Sequence, residues 1–125
     1  MLAQKLGLDP QTFFDIASKA SGQSWSMTSY CPVPGVGPET PADRGYDGGF
    51  AAALMLKDLR LAMEAAQTAD AYTPMGAAAE ELYTRFAEGL GGAGKDFSGI
   101  IKMLDESWTP PEGNATPHTP IGAKV

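Results

Sequence analysis

The stretch "CPVPGVGPETPADRGYDGG", residues 31–49, places four prolines and five glycines in 19 positions. Proline removes a backbone donor and fixes φ, and glycine costs the most entropy to order, so no regular helix or strand runs through such a segment. The chain must build its elements on either side of it. Val33, Val36 and Tyr46 provide apolar anchors within the stretch, so a structured excursion is expected rather than a loose one.

The flanking segments read as helices, and none shows the alternation of a strand. "GLDP" at residues 7–10 marks a boundary: Gly7 can end one helix, Asp9 can cap the next, and Pro10 suits its first turn. Residues 1–6 then read as the end of a longer helix. "QTFFDIASKA" sets Phe13, Ile16, Ala17 and Ala20 at helical spacing before "SGQ" stops it, and residues 24–30 have room for one short turn. A helix from about 50 to about 69 carries apolar residues over so much of its circumference that it is expected to be central and covered on most sides. "YTPMGAAAEELYTRFAEGL" begins with a Thr73 cap and Pro74, puts Met75, Ala78, Leu82 and Phe86 on one face, and stops at Gly91 and Gly92. "DFSGIIKMLDES" keeps Phe97, Ile100, Ile101 and Leu104 in helical register. The expected fold is all-α, a single domain of about five helices over residues 1–106. Residues 107–125 form a Pro-rich tail without periodicity, expected to be disordered or packed only at Trp108.

Composition narrows the function classes. A chain of 125 residues buries one core, and its formal charge of -6 comes without a basic cluster, which argues against nucleic acid or an anionic membrane surface as partner. No apolar run approaches the roughly 20 residues that cross a bilayer, and the start lacks a signal-peptide pattern, so a cytoplasmic protein is expected. Cys31 and His118 are the sole cysteine and histidine, which leaves no disulfide and no Cys/His metal cluster. Ser21, Ser24, Ser26 and Ser29 have no histidine near them for a hydrolase triad, and Cys31 lacks a neighbour that would activate its thiol. The glycines at 45, 48 and 49 follow no strand and match no phosphate loop, so they read as a turn before a helix.

"GFAAALMLKDLRL", residues 49–61, sets Lys57 and Asp58 inside the most apolar helix. Lys57 follows Phe50 by seven residues and Leu54 by three, a spacing that aligns them on one helical face. Lys57 can snorkel at the helix edge, or it can line a cleft and hold an anionic group. The spacing leaves both open. Asp58 points about 100° from Lys57 around the helix, so each is expected to need its own partner. Trp25 and Tyr30 fit either core packing or a site wall.

Taken in order, "LGLDP", "SGQSW", "YCPVPGV", "YDGGFAAALMLKDLRLA", "TPMGAAAEELY" and "KDFSGIIKML" resemble the C-terminal domain of the β-hydroxyacid dehydrogenases over residues 1 to about 105. The "PVPGV" excursion is most similar to the 3-hydroxyisobutyrate dehydrogenases, and the resemblance implies the helical domain of 6-phosphogluconate dehydrogenase-like proteins. It implies NAD(P)-dependent oxidation of 3-hydroxyisobutyrate to methylmalonate semialdehyde in valine breakdown. It also implies that Phe50 lies near the nicotinamide, that Lys57 contacts the cofactor with Asp58 beside it, and that Trp25 and Tyr30 lie on the substrate side. Cys31 departs from the asparagine common at that place. The glycine-rich fingerprint and catalytic lysine of the family match nothing here, so the chain alone is expected to bind cofactor weakly and not to turn over. A homo-oligomer is expected, with a separate Rossmann domain as a possible partner; the alternative is a stand-alone helical module that self-associates through an exposed face including Phe50 and Lys57.

Overall fold

The computed structural model describes residues 1–111, and its regular elements are all helical. They are α1 (Leu2–Lys5), α2 (Pro10–Ala17), α3 (Trp25–Thr28), α4 (Ala52–Thr68), α5 (Pro74–Thr84) and α6 (Ile100–Leu104). Turns of 3-10 geometry lie at Pro41–Arg44 and Phe97–Gly99, and a widened π-type turn at Arg85–Gly89 continues α5. Strand-type pairing among the described residues is limited to one bridge between Ala51 and Asp96.

Local chemistry explains most boundaries. Asp9 accepts from the Thr12 amide at 2.9 Å and Pro10 opens α2, while Ser24 accepts from the Met27 amide at 3.2 Å to open α3. Thr73 does not cap α5 as expected. Its backbone (φ -127°, ψ 65°) lies outside the usual cap region, and its hydroxyl turns to the Met63 sulfur at 3.6 Å instead. Helix α4 also lacks a side-chain cap: the Ala52 and Ala53 amides donate to the Lys95 and Ala93 carbonyls at 2.8 and 3.0 Å, so the 93–97 segment closes its N-terminus.

The 31–49 segment is held from within. The Asp43 carboxylate accepts from the Gly35 and Thr40 amides at 2.6 and 2.9 Å, the Thr40 hydroxyl donates to the Cys31 carbonyl at 3.1 Å, and the Tyr46 hydroxyl donates to the Pro32 carbonyl at 2.8 Å. Val36 and Tyr46 are buried as the sequence predicts, with Val33 half-buried. A 3-10 turn forms inside the segment because Thr40 and Asp43 cap each other's backbone around Pro41.

The core gathers Ala52 and Leu56 of α4, Phe86, Ala87 and Leu90 after α5, and Met103 of α6. The chain reverses between α4 and α5, and the two helices pack along each other. The Trp108 ring meets Phe86 edge-on with centroids 4.8 Å apart, and its indole N–H donates to the Leu90 carbonyl at 2.9 Å. The rest of the expected tail, residues 112–125, lies outside the described residues.

Two expectations about faces need correcting. Only Ala52 and Leu56 of α4 are buried, packed with Phe86, Ala87, Leu90 and Met103, and Leu54 and Leu61 stay exposed. Met75 does not share the buried face of Phe86: it lies in the first turn of α5, beyond the core, and is exposed.

Candidate functional site

Helix α4 and the turn before it carry two distinct groups of side chains. The first is aromatic. Gly48 and Gly49, both at positive φ (76° and 75°), turn the chain sharply and leave Phe50 just ahead of α4. Phe50 is therefore not on the helical face of Lys57, and the seven-residue spacing does not align them. Its ring instead meets Phe97 edge-on, with centroids 6.1 Å apart and planes at 72°. Phe97 stacks on Tyr30 at 5.3 Å, and Tyr30 stacks on Trp25 at 5.2 Å. Trp25, Tyr30, Phe97 and Phe50 form one aromatic row, and its outer ring, Trp25, is 62% exposed. Three of the four rings are site residues predicted from sequence; the fourth, Phe97, shows in the sequence only as part of a helical face.

Asp96 anchors this row. Its side chain is fully buried and accepts from the Tyr30 hydroxyl at 2.7 Å, the Phe50 amide at 2.8 Å and the Ser98 amide at 3.0 Å. Burial first, and then the bond to Asp96, push the Tyr30 hydroxyl up to about 12. The sequence does not single out Asp96. An aspartate ahead of a helical run reads as an N-cap, which it also is for Phe97–Gly99.

The second group lines an open cleft of about 250 Å³ between α4 and the segment after α5. Lys57, Arg60 and Leu61 stand on its α4 wall, Glu88 faces them, and Ala53, Ala87 and Ala93 keep part of its lining small. Arg60 forks onto Glu88 with contacts of 2.8 and 3.0 Å, and Glu80 lies 3.9 Å away. That pairing raises the Arg60 pKa and lowers that of Glu88. Lys57 and Asp58 do form an ion pair, at 3.1 Å, contrary to the angular argument. A four-carbon lysine stem curls around the helix surface far enough to cancel the 100° offset between adjacent positions. Both side chains are more than half exposed, 61% and 54%, so the pair is weak and easily exchanged for another anion.

The cleft sets Lys57 and Arg60 beside Glu64 and Glu88 over a lining of small residues, and none of the four aromatic rings lines it. Among the described residues, no cluster of His, Cys, Asp and Glu could hold a metal ion, and no helix is long and apolar enough to cross a membrane. Cys31 is buried beside a separate apolar cleft.

The all-helical domain, with a cleft on its longest helix where Lys57 and Arg60 meet Glu64 and Glu88, matches one family. Residues 1–104 match the family model described as NAD-binding of NADP-dependent 3-hydroxyisobutyrate dehydrogenase, and the chain belongs to that family. The 3-hydroxyisobutyrate dehydrogenase of Pseudomonas aeruginosa is 44% identical over 103 residues, which is 82% of this chain and 35% of that protein. The NAD-dependent L-serine dehydrogenase of the same organism is 46% identical over 99 residues, 79% of this chain and 33% of that protein. The structure of Mycobacterium tuberculosis 3-hydroxyisobutyrate dehydrogenase with L-serine aligns with a TM-score of 0.78 at 44% identity, covering 82% of this chain and 35% of that one. The chain thus spans about a third of the length of these relatives.

Proposed function

We propose that this chain is the helical wall of a nicotinamide-dependent dehydrogenase site that oxidises small 3-hydroxy acids, with 3-hydroxyisobutyrate, converted to methylmalonate semialdehyde, as the leading substrate. Bound NAD(P)+ supplies the hydride acceptor. Lys57 holds an anionic part of the cofactor, Asp58 keeps the ammonium close to the helix between partners, and Phe50 gives an apolar wall beside the nicotinamide. Trp25 and Tyr30 face the substrate side. Two relatives of near-equal identity are named for 3-hydroxyisobutyrate and for L-serine. Both compounds are primary alcohols placed β to a carboxylate, which supports that chemical class. Turnover on this reading needs a nucleotide-binding region and a proton-transferring group beyond those assigned in this chain.

The single observation that carries the reading is Lys57 at the edge of an open cleft on α4, in a chain of this family. The test mixes the chain with the separately produced nucleotide-binding region of the Pseudomonas aeruginosa 3-hydroxyisobutyrate dehydrogenase and follows NADH formation. Activity is expected only in the mixture. Lys57→Ala is then expected to raise the cofactor KM about tenfold, or about 1.4 kcal/mol, with little change in kcat. An unchanged cofactor KM would sink the role given to Lys57.

A second reading, self-association, is favoured by a separate observation. Leu2, Leu6, Leu8, Phe13 and Ile16 of the N-terminal segment are all exposed, and most of them line an apolar cleft of about 650 Å³. A second copy of this chain burying that face would make a homo-oligomer, and this reading is compatible with the first.

A further inference from the structure

The aromatic row is tied to the interior by one carboxylate. We propose that Asp96 is the positioning residue of this site, holding Tyr30 on the substrate side and Phe50 on the cofactor side as one unit, a task that only a carboxylate at that position performs. The sides given to the two rings rest on the function proposed above; the tether does not.

The geometry is specific about the chemical group. Oδ1 accepts from the Tyr30 hydroxyl at 2.7 Å and the Phe50 amide at 2.8 Å, and Oδ2 accepts from the Ser98 amide at 3.0 Å and the Ser98 hydroxyl at 2.5 Å. A hydroxyl can reverse and accept, but a backbone N–H cannot. Each oxygen faces one such obligate donor, so asparagine fails in both orientations: its NH2 meets either the Phe50 N–H or the Ser98 N–H. A buried, unpaired donor pair costs more than the bond it replaces. Gly49 packs directly against this carboxylate: a Cβ on it would overlap Oδ1 and stand 2.6 Å from the Tyr30 oxygen.

The next residue completes the grip. The Phe97 amide donates to the Phe50 carbonyl at 2.7 Å, while its ring stacks on Tyr30 and meets Phe50 edge-on. Asp96 therefore fixes the separation of the two outward rings and Phe97 fills it. The Tyr30 proton is consequently committed inward, to Asp96, so Tyr30 serves the site as a ring and not as a proton donor.

The test uses the whole chain and three variants, Asp96→Asn, Tyr30→Phe and Ser98→Ala, followed by NMR. Asp96→Asn is expected to speed hydrogen exchange at the Phe50 amide by about tenfold and to displace the ring-current shifts of Trp25, Tyr30 and Phe97, with the Leu56 and Met103 signals unmoved. Tyr30→Phe keeps the ring and removes one bond, and is expected to displace the Trp25 shifts while Phe50 stays protected. Ser98→Ala removes a bond of the same carboxylate on the side away from the rings. It is expected to lower the melting temperature and leave the ring shifts in place, which a merely structural carboxylate would not distinguish. Unchanged ring shifts and Phe50 exchange in folded Asp96→Asn overturn the proposal; if that variant does not fold, an unmoved Trp25 in Tyr30→Phe does so. Adding NADP+ to the wild-type chain mixed with the nucleotide-binding region forms a separate arm: failure to shift Phe50 there removes its assignment to the cofactor side, whereas the exchange rates alone decide the tether.

Discussion

Gly49 meets any side chain from two directions. Its φ of 75° belongs to the left-handed region, and an added Cβ would stand 2.6 Å from the Tyr30 oxygen and 2.8 Å from the Pro41 ring, besides overlapping Asp96. Gly45 has a similar φ of 64° with nothing within 4 Å of its Cβ direction. The two positions separate backbone strain from steric crowding. Gly45→Ala should cost about 1 kcal/mol, and Gly49→Ala about 2–4 kcal/mol, because overpacking adds to the strain. Urea unfolding of both variants measures the difference, and equal costs would show that the surroundings of Gly49 relax freely. The sequence exposes a turn at this place through its paired glycines. It does not expose the crowding, since the atoms responsible belong to Tyr30, Pro41 and Asp96. Lys57 and Asp58 make the same point: helical angles describe where side chains leave the backbone, while the ion pair depends on where long side chains end.

Among the elements, the 31–49 excursion and α4 show how far local rules carry. The excursion is ordered by bonds between near neighbours in the chain, which is why its anchors could be named from the sequence. Asp43 is its main lock. The Gly35 and Thr40 amides hold the Asp43 carboxyl below its ordinary value, with Arg44 a smaller cause. A depressed carboxylate contributes stability that is complete above the unfolded-chain value, about 3.9, and is lost as pH falls through the lower folded value. The Gly35 and Thr40 amide resonances are therefore expected to stay constant from neutrality to about pH 4 and to move together below it. Asp43→Asn should abolish that shared titration. Amides that titrate independently of Asp43 would refute the lock. Helix α4 was legible as a helix but not in its surroundings: periodicity shows which residues are apolar, and the covering of a stripe depends on the neighbours that arrive.

At the scale of the molecule, exposed Leu2, Leu6, Leu8 and Phe13 line the apolar cleft, while the described part of the chain buries a modest core around Phe86 and Met103. Such a surface favours association, because apolar area kept in water carries a free-energy cost proportional to its extent. Sedimentation velocity should show the chain growing in mass with concentration. Replacing Leu2 and Leu6 with aspartate should hold it at the monomer mass, since each exposed site accepts a charge without harm to the fold. A wild-type chain that remains monomeric at all concentrations would count against this face as an interface.

The helical class, most boundaries, the anchored excursion and the family were all present in the sequence, because periodicity, caps, turn residues and motif order act over a few positions at a time. The aromatic row, the Asp96 tether and the relation of Lys57 to its cleft came only with the tertiary structure. Tyr30 and Phe50 reach Asp96 across 66 and 46 residues of chain. Contacts at such separations are set by how the segments fold back on one another, and nothing in the local pattern of any of the three residues encodes that meeting.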